Sequence, residues 1–145
     1  MAETCQVDFY VLGDESRSAP ALVCRLALMA WEKGLQVTLL AQDQRHAGQL
    51  DGLLWEQPAG RFIPHALDSS GQPAPVIITT PGQPASRQGD VLINLTPAPV
   101  AQPEHFQRVL EVVPASAGDR QASREKFTHY RNLGLQPAHH PVGGH

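Results

Sequence analysis

The sequence predicts one α/β domain, a three-layer fold whose mostly parallel sheet carries helices on both faces. Short β-rich apolar segments alternate with longer amphipathic segments along the 145 residues, which is typical of strands joined by crossover helices. The 13 prolines and 12 glycines concentrate between these segments, so they indicate loops rather than general disorder. A chain of this length is ordinary for one domain with a sizeable core.

The first part of the chain has the pattern of a βαβ unit. Residues 6–12 are β-rich and end in a nearly continuous apolar run, like a strand buried on both faces. A helix then runs to about Lys33, with apolar residues at three- and four-residue steps and Gly34 suited to a left-handed cap. Residues 36–41 form the second strand, and this order predicts a right-handed crossover between parallel strands.

A second helix and two more strands follow. Asp43 can cap a helix that runs to about Trp55. Residues 56–75 form a long connection, apolar at first and rich in Pro, Gly and Ser later. We predict strands at residues 76–79 and 90–95, since both are short apolar runs bounded by loop residues.

The last part of the domain holds one more strand and one more helix. Residues 104–110 could form a short helix, but residues 108–113 alternate like a strand, and we favour the strand there. A final helix covers about 119–133 and is closed by Gly134. The predicted domain therefore spans residues 1–135.

Residues 136–145 have no apolar period and are predicted to be a flexible C-terminal tail. His139, His140 and His145 could in principle coordinate a metal, but a flexible tail does not fix the ligand geometry that zinc requires. We expect no metal and no other cofactor.

Charge and cysteine content narrow the class of protein. The net charge of −3 argues against direct binding of single-stranded DNA, although a basic helix leaves that alternative open. Cys5 and Cys24 lie in apolar segments, where we expect small buried thiols in a reducing cytosol. No signal peptide is visible, and no apolar run approaches the roughly 20 residues of a membrane span, so we expect a cytoplasmic protein.

The turn after the first strand is a poor nucleotide site. The turn has one glycine, Gly13, whereas a dinucleotide-binding loop has three. Asp14 and Glu15 also place two acidic side chains where the phosphates of a nucleotide would bind. The rival hypothesis is nevertheless a small nucleotide-binding protein or enzyme that uses this turn near Asp14 and Ser16. No nucleophile elbow supports a hydrolase, and His65 is expected to support the local structure rather than to react.

Two stretches could instead bind other proteins. The first runs from Trp55 to His65 and carries two large aromatic residues, an Ile and two prolines where a chain reversal is normally polar. Its side chains could cover the sheet edge as part of the core. They could equally form an exposed apolar patch, which on a soluble protein indicates a partner site.

The second stretch is the final helix. Arg120, Arg124, Phe127 and Arg131 recur at helical spacing on one face. Guanidinium groups beside an aromatic ring suit an acidic peptide or a terminal carboxylate. The alternative is a solvated face with Phe127 turned into the core.

Taken together, these residues resemble the chi subunit of the bacterial DNA polymerase III holoenzyme, part of its clamp-loader assembly. The resemblance covers about residues 6–135. It is carried by the following segments: Asp8-Phe9-Tyr10-Val11-Leu12, Val23-Cys24-Arg25-Leu26-Ala27, Leu54-Trp55-x-x-Pro58-x-x-x-Phe62-Ile63-Pro64-His65, Ala74-Pro75-Val76, Asp90-Val91-Leu92-Ile93-Asn94-Leu95, Glu111-Val112-Val113-Pro114, and Arg124-Glu125-Lys126-Phe127 with Tyr130-Arg131 and Gly134.

The resemblance implies a non-catalytic, Rossmann-like replisome adaptor that has lost nucleotide binding. One implied partner is the psi subunit, and a helicase-like repair protein can occupy the psi-facing side of this chain in its place. DNA contact is implied to be indirect. The psi-facing residues carried over are Trp55, Phe62, Ile63 and Pro64. The other implied partner is the C-terminal tail of single-stranded DNA-binding protein. The tail-facing residues carried over are Val113, Arg124, Phe127, Tyr130 and Arg131.

Two departures from the family pattern affect these expectations. Thr128 stands where a lysine is expected, so one cation of the tail site is missing, and Lys126 or Arg120 could compensate. The histidine-rich C-terminal tail has no counterpart in the family pattern, and we assign it no role.

Overall fold

The architecture is a single sheet of parallel strands with α-helices on both faces. The computed structural model describes residues 5–12, 19–56, 63–70, 72–81, 89–100, 102–114 and 117–142. The strands are β1 (Gln6–Leu12), β2 (Val37–Leu40), β3 (His65–Leu67), β4 (Val76–Thr79), β5 (Gly89–Asn94), β6 (Phe106–Val113) and β7 (Ala138–Val142). The α-helices of the described residues are α1 (Ala19–Glu32), α2 (Gln44–Glu56) and α3 (Ala117–Asn132).

The sheet order is β3-β4-β2-β5-β6-β1-β7, and every pair of neighbouring strands is parallel. The predicted α/β class with a mostly parallel sheet is therefore confirmed. The sequence patterns predicted neither of the two edge strands, β3 and β7. No helix within the described ranges combines the length and the apolar character needed to cross a bilayer.

The two faces of the sheet bury separate apolar clusters. On one face, Leu26 of α1 and Leu50 and Leu54 of α2 pack against alternate residues of the central strands. On the other face, Tyr130 of α3 and Phe9 of β1 belong to a second cluster, against which Phe127 packs. The chain thus forms three layers, as predicted, with α1 and α2 on one side and α3 on the other.

The residues predicted to cap the helices do lie at the helix ends. Gly34 and Gly134 both adopt positive φ, 82° and 89°, and each follows the last turn of a helix as expected. The side chain of Asp43 accepts a hydrogen bond from the backbone N–H of His46 at 2.8 Å, which is the predicted cap of α2. The helical alternative for residues 104–110 is wrong, because only Pro103–His105 forms a 3₁₀ turn before β6 begins.

Both cysteines are buried, as predicted. Cys5 lies in the cluster beneath α3, and Cys24 lies in the cluster beneath α1 and α2. Desolvation by burial raises the pKa of Cys5 to about 11 and also raises the pKa of Cys24. Thiols of this kind are poor nucleophiles and poor metal ligands.

The prediction of a flexible tail over residues 136–145 is wrong for Ala138–Val142, which pairs in parallel with β1 as the edge strand β7. Asp8 of β1 is buried, and His140 lies close to it with 2.7 Å between Nε2 and Oδ1. The His140 ring also stacks on Tyr10 with 5.0 Å between centroids. A histidine that meets a buried carboxylate and an aromatic ring holds the strand in place.

Asp8 is further bonded by Arg108 of β6, with 2.7 Å between Nε and Oδ2. Burial by itself raises the pKa of Asp8, but hydrogen bonds from His140 and Arg108 outweigh it, so the pKa is lowered. A carboxyl group with a depressed pKa stabilises the fold above its unfolded-state pKa of about 3.9. That stability is lost as pH falls through the lower, folded-state pKa.

The variant Asp8→Asn is therefore expected to lower the free energy of unfolding by about 2 kcal/mol near neutral pH. Urea denaturation should show that its difference from the wild type shrinks below about pH 4, where the Asp8 carboxyl of the unfolded wild type takes up a proton, and is lost once the folded-state carboxyl is protonated as well. Glu125→Gln, which changes an exposed carboxylate on α3, serves as the control and should stay near the wild type throughout. A difference that is constant across this pH range contradicts the assignment.

Candidate partner-binding surfaces

Trp55 lies in the last turn of α2 and is 63% exposed, although its helix packs on the sheet through Leu50 and Leu54. Its indole meets the ring of His65 edge to face, with 5.3 Å between centroids. A large aromatic side chain that is both exposed and held by a neighbour is typical of an interface anchor. The structure therefore places Trp55 on the surface rather than in the core.

His65 is the support on which Trp55 rests. Its Nδ1 lies 2.6 Å from the carbonyl oxygen of Ile63, and its Nε2 lies 3.2 Å from the Asp51 carboxylate. The ring thus connects α2 to the start of β3 while its own side chain is almost completely buried. Sequence reasoning expected a local support at His65 but missed Asp51, which lies one helical turn before Trp55.

The remaining residues expected to face psi are placed differently from one another. Ile63 is 0% exposed and belongs to the cluster beneath α1 and α2, so its side chain anchors the segment. Pro64 is half-buried, and its carbonyl oxygen accepts a hydrogen bond from the N–H of Val76 at 3.3 Å. Phe62 lies outside the described residues.

A basic and aromatic surface lies on α3, on the opposite side of the sheet. Arg124 and Arg131 are exposed, and Arg124 Nη1 donates to the side chain of Gln121 at 2.9 Å. Phe127 is half-buried, stacked on His139 of β7 with 4.7 Å between centroids and 2° between planes. The structure therefore places two exposed cations and two stacked rings on the same surface. The sequence patterns identified the ring of Phe127 but not that of His139.

Two of the residues expected to face the tail lie beneath this surface. Val113, at the end of β6, is buried in the cluster against which Phe127 packs. Tyr130 is 0% exposed. Its hydroxyl donates to Glu111 Oε2 at 2.6 Å and accepts from the N–H of Val100 at 2.8 Å. Tyr130 thus supports α3 from below and does not line its surface.

Tyr130 belongs to a buried polar network between α3 and the sheet. Glu111 of β6 accepts hydrogen bonds from Lys126 at 2.7 Å and from Asn94 at 2.9 Å. Lys126 also donates to the carbonyl oxygen of Thr96 at 2.6 Å. Burial raises the pKa of Glu111, and the donors around it oppose this effect. The network fixes α3 and the turn after β5 to one another.

The suggestion that Lys126 compensates for Thr128 is wrong. Lys126 is 6% exposed, and its ammonium group is committed to Glu111 and to a backbone carbonyl. Arg120 remains exposed, and its Nη2 donates to the carbonyl oxygen of Leu12 at 3.3 Å. Helical spacing alone did not separate the buried cation from the exposed ones.

Other kinds of site find little support in the described ranges. No three His, Cys, Asp or Glu side chains among those residues come together as metal ligands would. The turn of the rival nucleotide hypothesis, with Gly13, Asp14, Glu15 and Ser16, lies outside the described residues. The fold and the two surfaces define a Rossmann-like α/β protein with candidate binding sites on both faces of its sheet.

The chain belongs to the family of the DNA polymerase III chi subunit, HolC, whose model matches residues 5–138. It is 42% identical over 130 residues to the DNA polymerase III subunit chi of Pseudomonas aeruginosa, covering 89% of this chain and 91% of that protein. It is 32% identical over 134 residues to the corresponding subunit of Escherichia coli, covering 88% and 91%. The family resemblance recognised in the sequence is thereby confirmed.

Solved structures with a similar fold are distant in sequence. The C-terminal domain of the DEAD-box protein Dbp5 superposes with a TM-score of 0.63 at 11% identity, over 97% of this chain and 92% of that chain. A chain from an S. cerevisiae Dbp5 complex with Nup159, Gle1, IP6 and ADP gives a TM-score of 0.66 at 10% identity, over 98% and 43%. At these identities the likeness concerns the fold alone.

Proposed function

We propose that this chi-family chain is a non-catalytic replisome adaptor in the cytoplasm that joins the psi subunit of the clamp loader to the C-terminal tail of single-stranded DNA-binding protein. The observation that carries the proposal is the position of the two candidate surfaces. Trp55 projects from α2 on one face of the sheet, and Arg124 and Phe127 lie on α3 on the other. An adaptor needs two surfaces that two partners can occupy together.

The psi side is the surface around Trp55. The exposed indole is held by His65, which Asp51 and the Ile63 carbonyl position in turn. Such support reduces the side-chain entropy that Trp55 loses when a partner docks. Pro64 adds half-exposed apolar area beside it. A helicase-like repair protein would compete with psi for this same surface.

The tail side is the surface of α3. For an acidic peptide that ends in an apolar residue, this surface offers the two exposed guanidinium groups of Arg124 and Arg131. It also offers the stacked rings of Phe127 and His139. Bidentate pairing suits a carboxylate, and the rings suit an apolar side chain. A short peptide offers little area, so micromolar affinity is expected. DNA contact would remain indirect, through the partner.

Arg124→Ala is expected to weaken binding of the tail peptide at least five-fold, or about 1 kcal/mol, because one charge-assisted pair is lost. Isothermal titration with a synthetic peptide of the tail measures this, and the affinity should also fall as salt increases. Arg25→Ala, which removes an exposed arginine from α1 on the opposite face, is the matched control. Equal affinities of the two variants would remove α3 as the tail site.

A further inference from the structure

A cavity of about 180 Å³ lies at the carboxyl ends of β5 and β6, between the first turn of α1 and the inner flank of α3. Parallel α/β sheets commonly bind small ligands at this edge. Neither Trp55 nor Arg124 nor Phe127 lines the cavity, and Val113 is the one residue that it shares with the proposed partner surfaces. The cavity is thus a feature that the adaptor function leaves unused.

Part of the cavity lining is apolar. Val23 of α1, Leu50 of α2 and Val112 of β6 line the cavity, and all three are buried in the cluster on that face of the sheet. Pro97, from the turn after β5, also lines the cavity. Walls of this composition favour an apolar body, since it exchanges water for close contacts.

One wall can offer a hydrogen bond. Ser123 of α3 lines the cavity and is only 7% exposed, and its hydroxyl has no hydrogen-bond partner within the described ranges. His46 also lines the cavity. Its Nδ1 lies 3.0 Å from the N–H of Gln42 and accepts from it, so in the neutral ring the proton is on Nε2, which can donate. The Ser123 hydroxyl and the His46 ring can therefore each donate a hydrogen bond to an acceptor on a ligand.

The charges around the cavity favour a neutral ligand. Lys126 is on the wall, but its charge is already balanced by Glu111 at 2.7 Å. Asp119 contributes a carboxylate to the same wall. A phosphate would meet that carboxylate and would find no ammonium or guanidinium group free to neutralise it among the described lining residues.

We propose that this cavity binds one uncharged aromatic ring that carries a hydrogen-bond acceptor on one edge. An engineered apolar cavity of about 150 Å³ is known to hold benzene, so the volume here admits one ring with a small substituent. The ring would lie between Val23, Leu50 and Val112, with its acceptor toward Ser123. The site shares only Val113 with the residues proposed to face the two partners.

Benzamide is a suitable probe, and toluene is its counterpart without an acceptor. Titration of the full chain with benzamide, followed by ¹H–¹⁵N chemical shifts, should give saturable changes around Ser123 with millimolar affinity. Ser123→Ala should weaken benzamide about five-fold and leave toluene binding unchanged. Ala122→Leu, which fills the cavity from the same helix, should abolish binding of both probes.

Glu125→Leu places the same side chain on the exposed face of α3 and should bind benzamide like the wild type. Thermal melting of each variant checks that the fold is retained. The proposal is overturned if the wild type shows no saturable change with benzamide, as a cavity filled only by water would give. It is also overturned if Ala122→Leu, still folded, binds both probes as tightly as the wild type.

Discussion

Replacing Lys126 by methionine is expected to lower the free energy of unfolding by about 3 to 5 kcal/mol, because the carboxylate of Glu111 would then be buried without its cation. Methionine keeps most of the apolar stem, so the loss reports the charge rather than a cavity. For a chain of this size the melting temperature should fall by about 10 °C or more. Thermal and urea unfolding followed by circular dichroism measure both quantities.

A second substitution separates this charge effect from a general loss of packing. Glu111→Gln in the Lys126→Met background removes the unpaired charge and leaves groups that Tyr130 and Asn94 can still meet. The double variant should regain about 2 kcal/mol of the loss. Lys33→Met, which changes an exposed lysine after α1, should stay within about 0.5 kcal/mol of the wild type. A double variant as unstable as the single one contradicts the explanation.

Trp55→Ala is expected to weaken association with psi by about 2 kcal/mol or more, roughly 30-fold, while the fold is retained. The side chain is 63% exposed in the free chain, so its removal opens little of the core. On the proposed adaptor it becomes buried by the partner, where aromatic anchors contribute most of the binding energy. Titration of purified psi with each variant, beside a melting curve, measures the two effects separately.

Leu133→Ala is the matched control for Trp55→Ala, since Leu133 is also a large exposed apolar residue, 52% exposed, and follows α3 on the other face of the sheet. It should bind psi like the wild type. Trp55→Ala should in turn leave the affinity for the tail peptide unchanged, because α3 lies on the opposite face. If psi binds Trp55→Ala and the wild type equally well, the surface around Trp55 is not the psi-binding site.

Much of the central fold followed from patterns within short segments. The cap at Asp43 and the helix ends at Gly34 and Gly134 depend on backbone geometry that few residues tolerate or stabilise. The central strands were recognisable because a strand buried on both faces is apolar throughout. These signals do not depend on distant parts of the chain, so they could be read without the tertiary structure.

The edge strands could not be predicted in the same way. β3 has only three residues, and β7 contains Pro141 and two histidines, a composition that local patterns assign to a loop or a tail. What places β7 is contact with residues far along the chain: His140 with Asp8, and His139 with Phe127. An acidic residue within an apolar strand, such as Asp8, requires a hydrogen-bond partner when it is buried. Its position in the sequence does not show which distant residue is that partner.

For the candidate sites, the sequence by itself determined which residues stand at helical spacing on α3, and that an unusually apolar stretch begins at the end of α2. Only the tertiary structure decided which of them face solvent. The side chains of Lys126 and Tyr130 point inward and donate hydrogen bonds to Glu111 of β6, whereas Arg124 and Arg131 remain exposed. Ile63 is likewise buried while Trp55 is exposed. Spacing fixes the angles between side chains on a helix, but the direction of the buried face is set by the surface on which the helix packs.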